Sequence, residues 1–453
     1  MEILSTIFYF IITIGVLVLV HEFGHFIAAI SLGMRAEVFA VGMGNRLFGW
    51  NKKTGFSFGT IPGDVDLEGN TDYRISLFPI GGYVKIAGMI DESFDTEFLK
   101  HEPQSWEFRS KPIWKRAVVL SAGVIMNVIL AIVIFWGIIY YQGRDIRPVT
   151  EIGYVAPGSP AEKCGFRVSD KVLALNNKPM KQWDEIESSL YTESVGNDLT
   201  FRIERNGVPA EIFIKRSAVP DLTEERFGIL PAGLVPVVAT VDAAKPAGLI
   251  GLQPNDTILA VNDVRVSYGS LSELVKAHAD KEIVLAWKRG DRRMEKKVTP
   301  THEGRIGISL DAGYTGTVVH LQYNLFEALP VGIRDVTLTS QLFLANIYQI
   351  IAGKASFSKS MGGPVKIAQM ANRSAENGLT AFLGFLALLS ISLALLNILP
   401  FPALDGGHLV FLAYEGIFRK QIPDNIKIGI QSAGFFLLLA FMAFVVYNDV
   451  VNF

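Results

Sequence analysis

His21-Glu22-Phe23-Gly24-His25 is the tightest grouping of chemically capable side chains in this 453-residue chain. On a helix, positions i and i+4 share a face. Both imidazoles can therefore bind one metal ion, and this spacing suits zinc. Glu22 is placed to take a proton from an attacking water as general base. The chemistry predicted is metal-assisted hydrolysis. The group closes an uncharged apolar stretch, residues 3–20. Ionisable groups inside a span cost about 2.5 kcal/mol or more each. Metal ligation is a reason for three together; a polar cluster snorkelling at a helix end is the alternative. Catalytic zinc usually takes a third protein ligand and keeps one position open. By type, His101, His278, His302, His320, His408 and the carboxylates qualify.

The elements that carry these residues follow from composition. Half of the chain is hydrophobic and only 19% is charged, against a usual ~25%; mean hydropathy is +0.32. This argues against a disordered chain and against an ordinary soluble enzyme. A net charge of −2 offers no basic footprint, so nucleic acid is not an expected partner. Cys164 is the single cysteine. It can form neither an internal disulfide nor a cysteine-rich metal site, and a small buried apolar role is expected for it. The apolar excess sits in four uncharged runs, 3–20, 117–142, 378–404 and 428–448. A membrane-crossing helix needs ~20 such residues, so four spans are expected. Glu2 is the only charge before the first run. The positive n-region of a signal peptide is missing, and the first span is expected to be retained.

Lys and Arg set the orientation. Residues 33–116 hold 11 of them and 405–427 hold Arg419, Lys420 and Lys427, while 1–20 and 449–453 hold none. Both tails and the long 143–377 region should face away from the cytosol. At 1.5 Å per residue, His21 lies ~26 Å beyond Leu4, near the cytosolic end of the first span. Asp405 closes an inward-running span at matching depth. His278, His302 and His320 fall on the other side, and His408 stays as a rival ligand.

The outer region repeats itself with an offset of 86. Pro160-Ala161 matches Pro246-Ala247, Gly165 matches Gly251, and Asp170 matches Asp256. Val172-Leu173-Ala174-Leu175-Asn176 matches Ile258-Leu259-Ala260-Val261-Asn262. Helix-like segments follow at 183–191 and 271–279, then strands closing on Asn206-Gly207 and Arg289-Gly290 turns. The pattern resembles tandem PDZ domains of the circularly permuted bacterial type. That resemblance puts ligand loops at Phe227-Gly228-Ile229 and Ile306-Gly307-Ile308; ordinary strand starts are the alternative. PDZ domains bind a peptide by strand addition.

Three motifs in order carry a second resemblance. They are His-Glu-x-x-His in the first span, Gly123-Val124-Ile125-Met126-Asn127 in the second, and Asn397-Ile398-Leu399-Pro400-Phe401-Pro402-Ala403-Leu404-Asp405-Gly406-Gly407 in the third. They resemble the Gly-x-x-x-Asn and Asn-x-x-Pro-x-Pro-x-Leu-Asp-Gly-Gly signatures of site-2 proteases, the intramembrane zinc metalloproteases. The resemblance implies zinc on His21, His25 and Asp405 with Glu22 as base. It implies single-span membrane protein substrates, among them a pre-trimmed anti-sigma factor and signal-peptide remnants, in the inner membrane of a bacterium. The protein would meet lipid and act as a monomer. Residues 73–88 read as a hairpin around Gly81-Gly82; in that family the comparable segment re-enters the membrane and pairs with substrate, and a soluble hairpin is the alternative. Asn397 can bond substrate backbone or a neighbouring helix, Pro400 and Pro402 break the span near the metal, and Asn127 has a packing or gating role.

The fold class expected is a polytopic α-helical membrane protein with four transmembrane helices, a membrane-associated β-hairpin region and two periplasmic PDZ-like α+β domains. The first span with the zinc motif covers 1–32, the cytosolic or re-entrant β region 33–112, and the second span 113–142. The PDZ-like domains cover 143–222 and 223–312, and an interfacial amphipathic helix and connector 313–377. The third span with the Asp ligand covers 378–405, a short cytosolic loop 406–427, and the fourth span 428–453. The PDZ pair would screen substrates. A non-enzymatic PDZ scaffold with a structural metal site is the competing function, and the intact Glu22 speaks against it. A transporter is disfavoured because no inverted repeat is visible.

Overall fold

The computed structural model describes residues 2–61, 65, 67–89, 101–193, 198–215, 218–219, 227–352 and 362–451. The chain divides into two compact units. One comprises Met1–Gln142, Tyr323–Leu344 and Phe357–Phe453; the other comprises Gly143–Gln322 and Ala345–Ser356.

In the first unit the four apolar runs form helices long and apolar enough to cross a bilayer. They are α1 (Glu2–Ser31), α2 (Ile113–Gln142), a third span Leu379–Asn397 and a fourth Asp424–Val451. A helix satisfies its own backbone hydrogen bonds, which lipid cannot do. Side chains such as Ile3, Leu4, Ile7, Phe436 and Leu437 are exposed and form the surface that acyl chains would cover. Small residues set the helix crossings. A Cβ on Gly24 of α1 would overlap the Ala122 carbonyl of α2. Ser390 of the third span donates its hydroxyl to the Asn127 carbonyl at 2.8 Å.

The third span ends at Asn397, earlier than the expected 378–405. Pro400 and Pro402 have no N–H to continue it, and Ala403 takes φ +71°. Asp405 opens a separate helix, Asp405–Phe418, where a carboxylate at the N-terminus is favoured. This corrects the assignment of 406–427 to a loop. Gly406 and Gly407 are required there, because a Cβ would overlap the Leu399 and Phe401 carbonyls respectively. Glu415 holds the far end of this helix. Its side chain takes Arg116 Nη1 of α2 at 3.0 Å and Lys427 Nζ of the fourth span at 3.0 Å, and it is buried.

Three strands lie between the first two spans: β1 (Ala36–Asn51), β2 (Gly55–Phe58) and β3 (Asp72–Ile86). The hairpin expected within 73–88 is not self-paired. Val38, Phe39, Ala40 and Val41 each meet two partners in β3, namely Lys85, Val84, Tyr83 and Gly82 on one side and Asp72, Tyr73, Arg74 and Ile75 on the other. The two arms of β3 therefore flank β1 rather than each other. The reversal uses Gly81, at φ +82°, a conformation that suits glycine. Arg46 and Asp72 form a buried ion pair inside this sheet, and Arg46 also donates to the Ser57 and Gly59 carbonyls. The helix expected over 331–352 starts earlier, at Leu325. Asn324 Oδ1 accepts from Phe326 and Glu327 N–H, and Glu327 accepts from Asn324 N–H, a reciprocal cap.

The second unit holds two subdomains built alike, each with its own core around Phe201 and Trp287 respectively. The repeated residues explain the likeness. Asp170 takes Arg205 Nε at 2.7 Å and Asp256 takes Arg289 Nε at 2.7 Å. The same guanidinium groups donate to the Gly165 and Gly251 carbonyls. Asn176 and Asn262 accept from Thr200 and Val284 N–H. The expected boundary at 222/223 moves to beyond Pro231. Strand Ile229–Pro231 pairs with Ile152–Val155, and Phe227 is buried in the first core: the chain closes the first sheet before starting the second at Leu234. The second sheet runs to Tyr314, past the expected limit at 312. Arg144–Ile146 pairs with Val319–Leu321 and joins the two flanks of the repeat.

Candidate metal centre

Helical spacing on α1 turns His21 and His25 toward α2. Their Nε2 atoms lie 3.3 Å apart. Asp405 Oδ2 lies 3.2 Å from His21 Nε2 and 3.4 Å from His25 Nε2. A tetrahedral ion with N and O ligands at ~2.0–2.1 Å spaces its donor atoms ~3.3 Å apart. The three separations fit that edge length. Asp405 Oδ2 is buried and makes no hydrogen bond of good geometry, which suits an atom whose partner is a cation. Among the described residues, these three form the group able to hold a metal. The donor set, two imidazoles and a carboxylate, is that of catalytic zinc sites with an open fourth position.

The surroundings orient these three side chains. His25 Nδ1 faces the Val119 carbonyl at 2.8 Å. His21 Nδ1 faces the Asn127 side-chain amide at 3.1 Å. Gly123, one helical turn before Asn127, leaves room for both rings, since a Cβ there would overlap His25 Nε2. Asn397 Nδ2 stands 3.3 Å from His21 Nε2.

A cavity of about 450 Å³ opens on this group and is lined by Glu22, Tyr83, Val84, Ile86, Asn397 and His408 among others. Gly82 approaches α1 closely enough that a Cβ would sit 3.6 Å from Glu22 Cγ. Pro402 does not line this cavity. It packs on the fourth span, where a Cβ on Gly434 would overlap it. His408 contacts Gln431 Nε2 at 2.9 Å through its own Nε2 and is not grouped with His21, His25 and Asp405.

The other candidate histidines have local partners. His278 Nδ1 meets the Leu274 carbonyl at 2.8 Å, His302 meets Asp280 at 2.6 Å and His320 meets Asp145 at 2.7 Å. The carboxylates raise the pKa of His302 and of His320. The His101 carbonyl accepts from Arg109. Cys164 is packed partly against the first core, and burial raises the pKa of its thiol. In the second subdomain a cavity of about 640 Å³ is lined by Gly307 and Ile308, with Lys245, Lys276 and Arg305. Gly228 and Gly307 both have positive φ and accept from Ala156 and Asp242 N–H respectively.

Two imidazoles and a carboxylate at ion-sized separation, with a glutamate beside them among membrane-length helices, define a metallopeptidase of the membrane. The chain belongs to peptidase family M50, whose model matches residues 9–441, and it is an intramembrane zinc metalloprotease. It is 30% identical to the "Regulator of sigma E protease" of Haemophilus influenzae, over 97% of this chain and 97% of that one. It is 29% identical to "Protease RseP" of Yersinia pestis, over 99% of each chain. It is 31% identical, over 97% of each chain, to a Pasteurella multocida protein whose name contains "zinc metalloprotease".

Proposed function

We propose that this protein hydrolyses a peptide bond within or near the transmembrane segment of single-span membrane proteins, with His21, His25 and Asp405 holding zinc and Glu22 acting as general base. The observation that carries it is the meeting of these four residues at one cavity whose wall includes residues 83, 84 and 86 of β3. Zinc bound there polarises the scissile carbonyl and acidifies water. Glu22 takes a proton from the attacking water and hands it to the leaving amine.

A helical substrate exposes no free carbonyl and must open first. The 82–86 arm of β3 pairs with β1 on one edge only, among the described residues. An opened segment adds to the other edge as a strand. Gly81 and Gly82 let that arm reverse and lie against α1. Asn397 bonds the backbone of the segment, and Pro400 and Pro402 keep the third span short beside it.

The site lies near the cytosolic face of a bacterial inner membrane, with both tails and the repeated unit on the periplasmic side. The two subdomains are PDZ-like. Their loops at Gly228-Ile229 and Gly307-Ile308 take peptide ends, and the pair screens substrates. Relatives named for sigma E regulation support an anti-sigma factor as substrate, trimmed outside the membrane beforehand; signal-peptide remnants are a second class. The protein works as a monomer. The test is to incubate purified protein with a single-span model substrate and compare Glu22→Gln. The reading predicts loss of cleavage in the variant with zinc still bound, and equal cleavage by both would sink it.

A further inference from the structure

Asn127 is fully buried on α2, and its side-chain nitrogen faces His21 Nδ1 at 3.1 Å. Its side-chain oxygen is buried without a hydrogen-bond partner. A buried acceptor left unpaired costs roughly 1–3 kcal/mol, so the pair of observations calls for an explanation.

The ligand geometry supplies one. His21 presents Nε2 to the ion-sized gap shared with His25 and Asp405. A ligating Nε2 uses its lone pair, so the ring proton of a neutral imidazole sits on Nδ1. Nδ1–H is then a donor, and an amide N–H facing it is a second donor with no acceptor between them. Turning the Asn127 amide about Cβ–Cγ exchanges its oxygen and nitrogen. The oxygen then receives Nδ1–H, which removes the facing of two donors and gives the oxygen a partner, while the amide nitrogen takes the oxygen's former position.

Resting on the zinc reading above, we infer that Asn127 is a positioning residue for the metal: its side-chain oxygen accepts Nδ1–H of His21 and holds that ring in the tautomer that ligates through Nε2. The backbone supports the placement, because the Asn127 carbonyl is anchored separately by Ser390 Oγ at 2.8 Å. His25 has the equivalent acceptor in the Val119 carbonyl, which no side-chain substitution removes. Among the described residues, Asn127 is thus the side chain that meets an imidazole of this pair on the Nδ1 side, away from the shared gap, and mutation can reach it.

The test is the zinc affinity of the purified full chain, read by competition with a chromophoric chelator and independent of any substrate. Asn127→Leu, similar in size and without an acceptor, should lower affinity roughly 10–100-fold. Asn127→Asp keeps an acceptor in the same place and should stay within a few-fold of the parent or bind more tightly. Ser390→Ala, which touches only the backbone carbonyl, should leave affinity unchanged. Parent-like affinity in Asn127→Leu overturns the inference, and so does an equal loss in Asn127→Leu and Asn127→Asp. Should Asn127→Leu fail to fold, Asn127→Asp still decides: loss of zinc by a folded Asp variant overturns it. Absence of zinc from the parent itself would instead defeat the zinc reading.

Discussion

Gly123 of the second span makes way for His25 of the first: a Cβ on Gly123 would overlap His25 Nε2 and would lie 2.8 Å from His21 Nε2. The two imidazoles are held on α1, but the space they occupy belongs to α2. Gly123→Ala should therefore displace one or both rings and weaken zinc binding by roughly 10-fold or more, at little cost to helix stability, since alanine favours helix over glycine. Metal titration of the purified variant checks this, and parent-like affinity would contradict the packing described.

Asp405 and Glu22 should separate binding from turnover. Asp405→Ala removes a ligand, so zinc content and cleavage should fall together. Glu22→Gln keeps the ligands and removes the base, so zinc should stay while turnover drops by ~10²–10⁴-fold. Metal analysis beside a cleavage assay separates the two. Full activity with bound zinc in Asp405→Ala would remove Asp405 from the site.

Deleting 150–310 should let substrates with large outer domains be cut. Arg144–Ile146 and Val319–Leu321 lie outside the deletion and can keep its flanks joined. The readout is gel analysis of trimmed and untrimmed single-span substrates. If trimmed ones are still cut and untrimmed ones stay intact, the screening role is lost.

Glu415 stands between Arg116 and Lys427, both at 3.0 Å. Glu415→Ala leaves two cations facing a buried gap and should destabilise the first unit by roughly 3–5 kcal/mol. Thermal unfolding in detergent should show a clearly lower midpoint, whereas an unchanged midpoint would mean that water reaches the cluster freely.

His320 holds its proton above the usual range because of its hydrogen bond to Asp145 and then to Gln322. A histidine pKa raised by folding adds stability that is fully present below the unfolded value of ~6.5 and fades as pH climbs through the raised one. Protection of the Arg144–Ile146 strand against hydrogen exchange should therefore weaken from mildly acidic to alkaline pH. His320→Gln should flatten that dependence, and an identical pH profile in the variant would deny the pair any role.

Much of this was legible in the residues. Uninterrupted apolar runs announce spans because lipid leaves few alternatives, and His21, Glu22 and His25 declare themselves by helical spacing. The Asp405 helix was not legible as a separate element, because its break at Pro400 and Pro402 adjoins a run that stays apolar to residue 404. The two arms of β3 read as a self-paired hairpin because local pattern cannot show that β1 lies between them. Phe227 looked like the start of the second subdomain because the first sheet closes through a strand of three residues. Asn127 carried a faint signal: it follows Gly123 by four residues, so the cleared space and the amide share one face of α2.

His21 and His25 of α1 and Asp405, which opens the helix after the third span, are separated by about 380 residues of chain. During synthesis, the first spans and the whole repeated unit are made before Asp405 exists. On the proposed ligand set, a chain that stops before Asp405 would carry the imidazole pair with no third ligand. If Asp405 is the third ligand, competence to cut would be withheld until the third span has been inserted and turned, which would keep an unfinished chain from cutting its neighbours in the membrane.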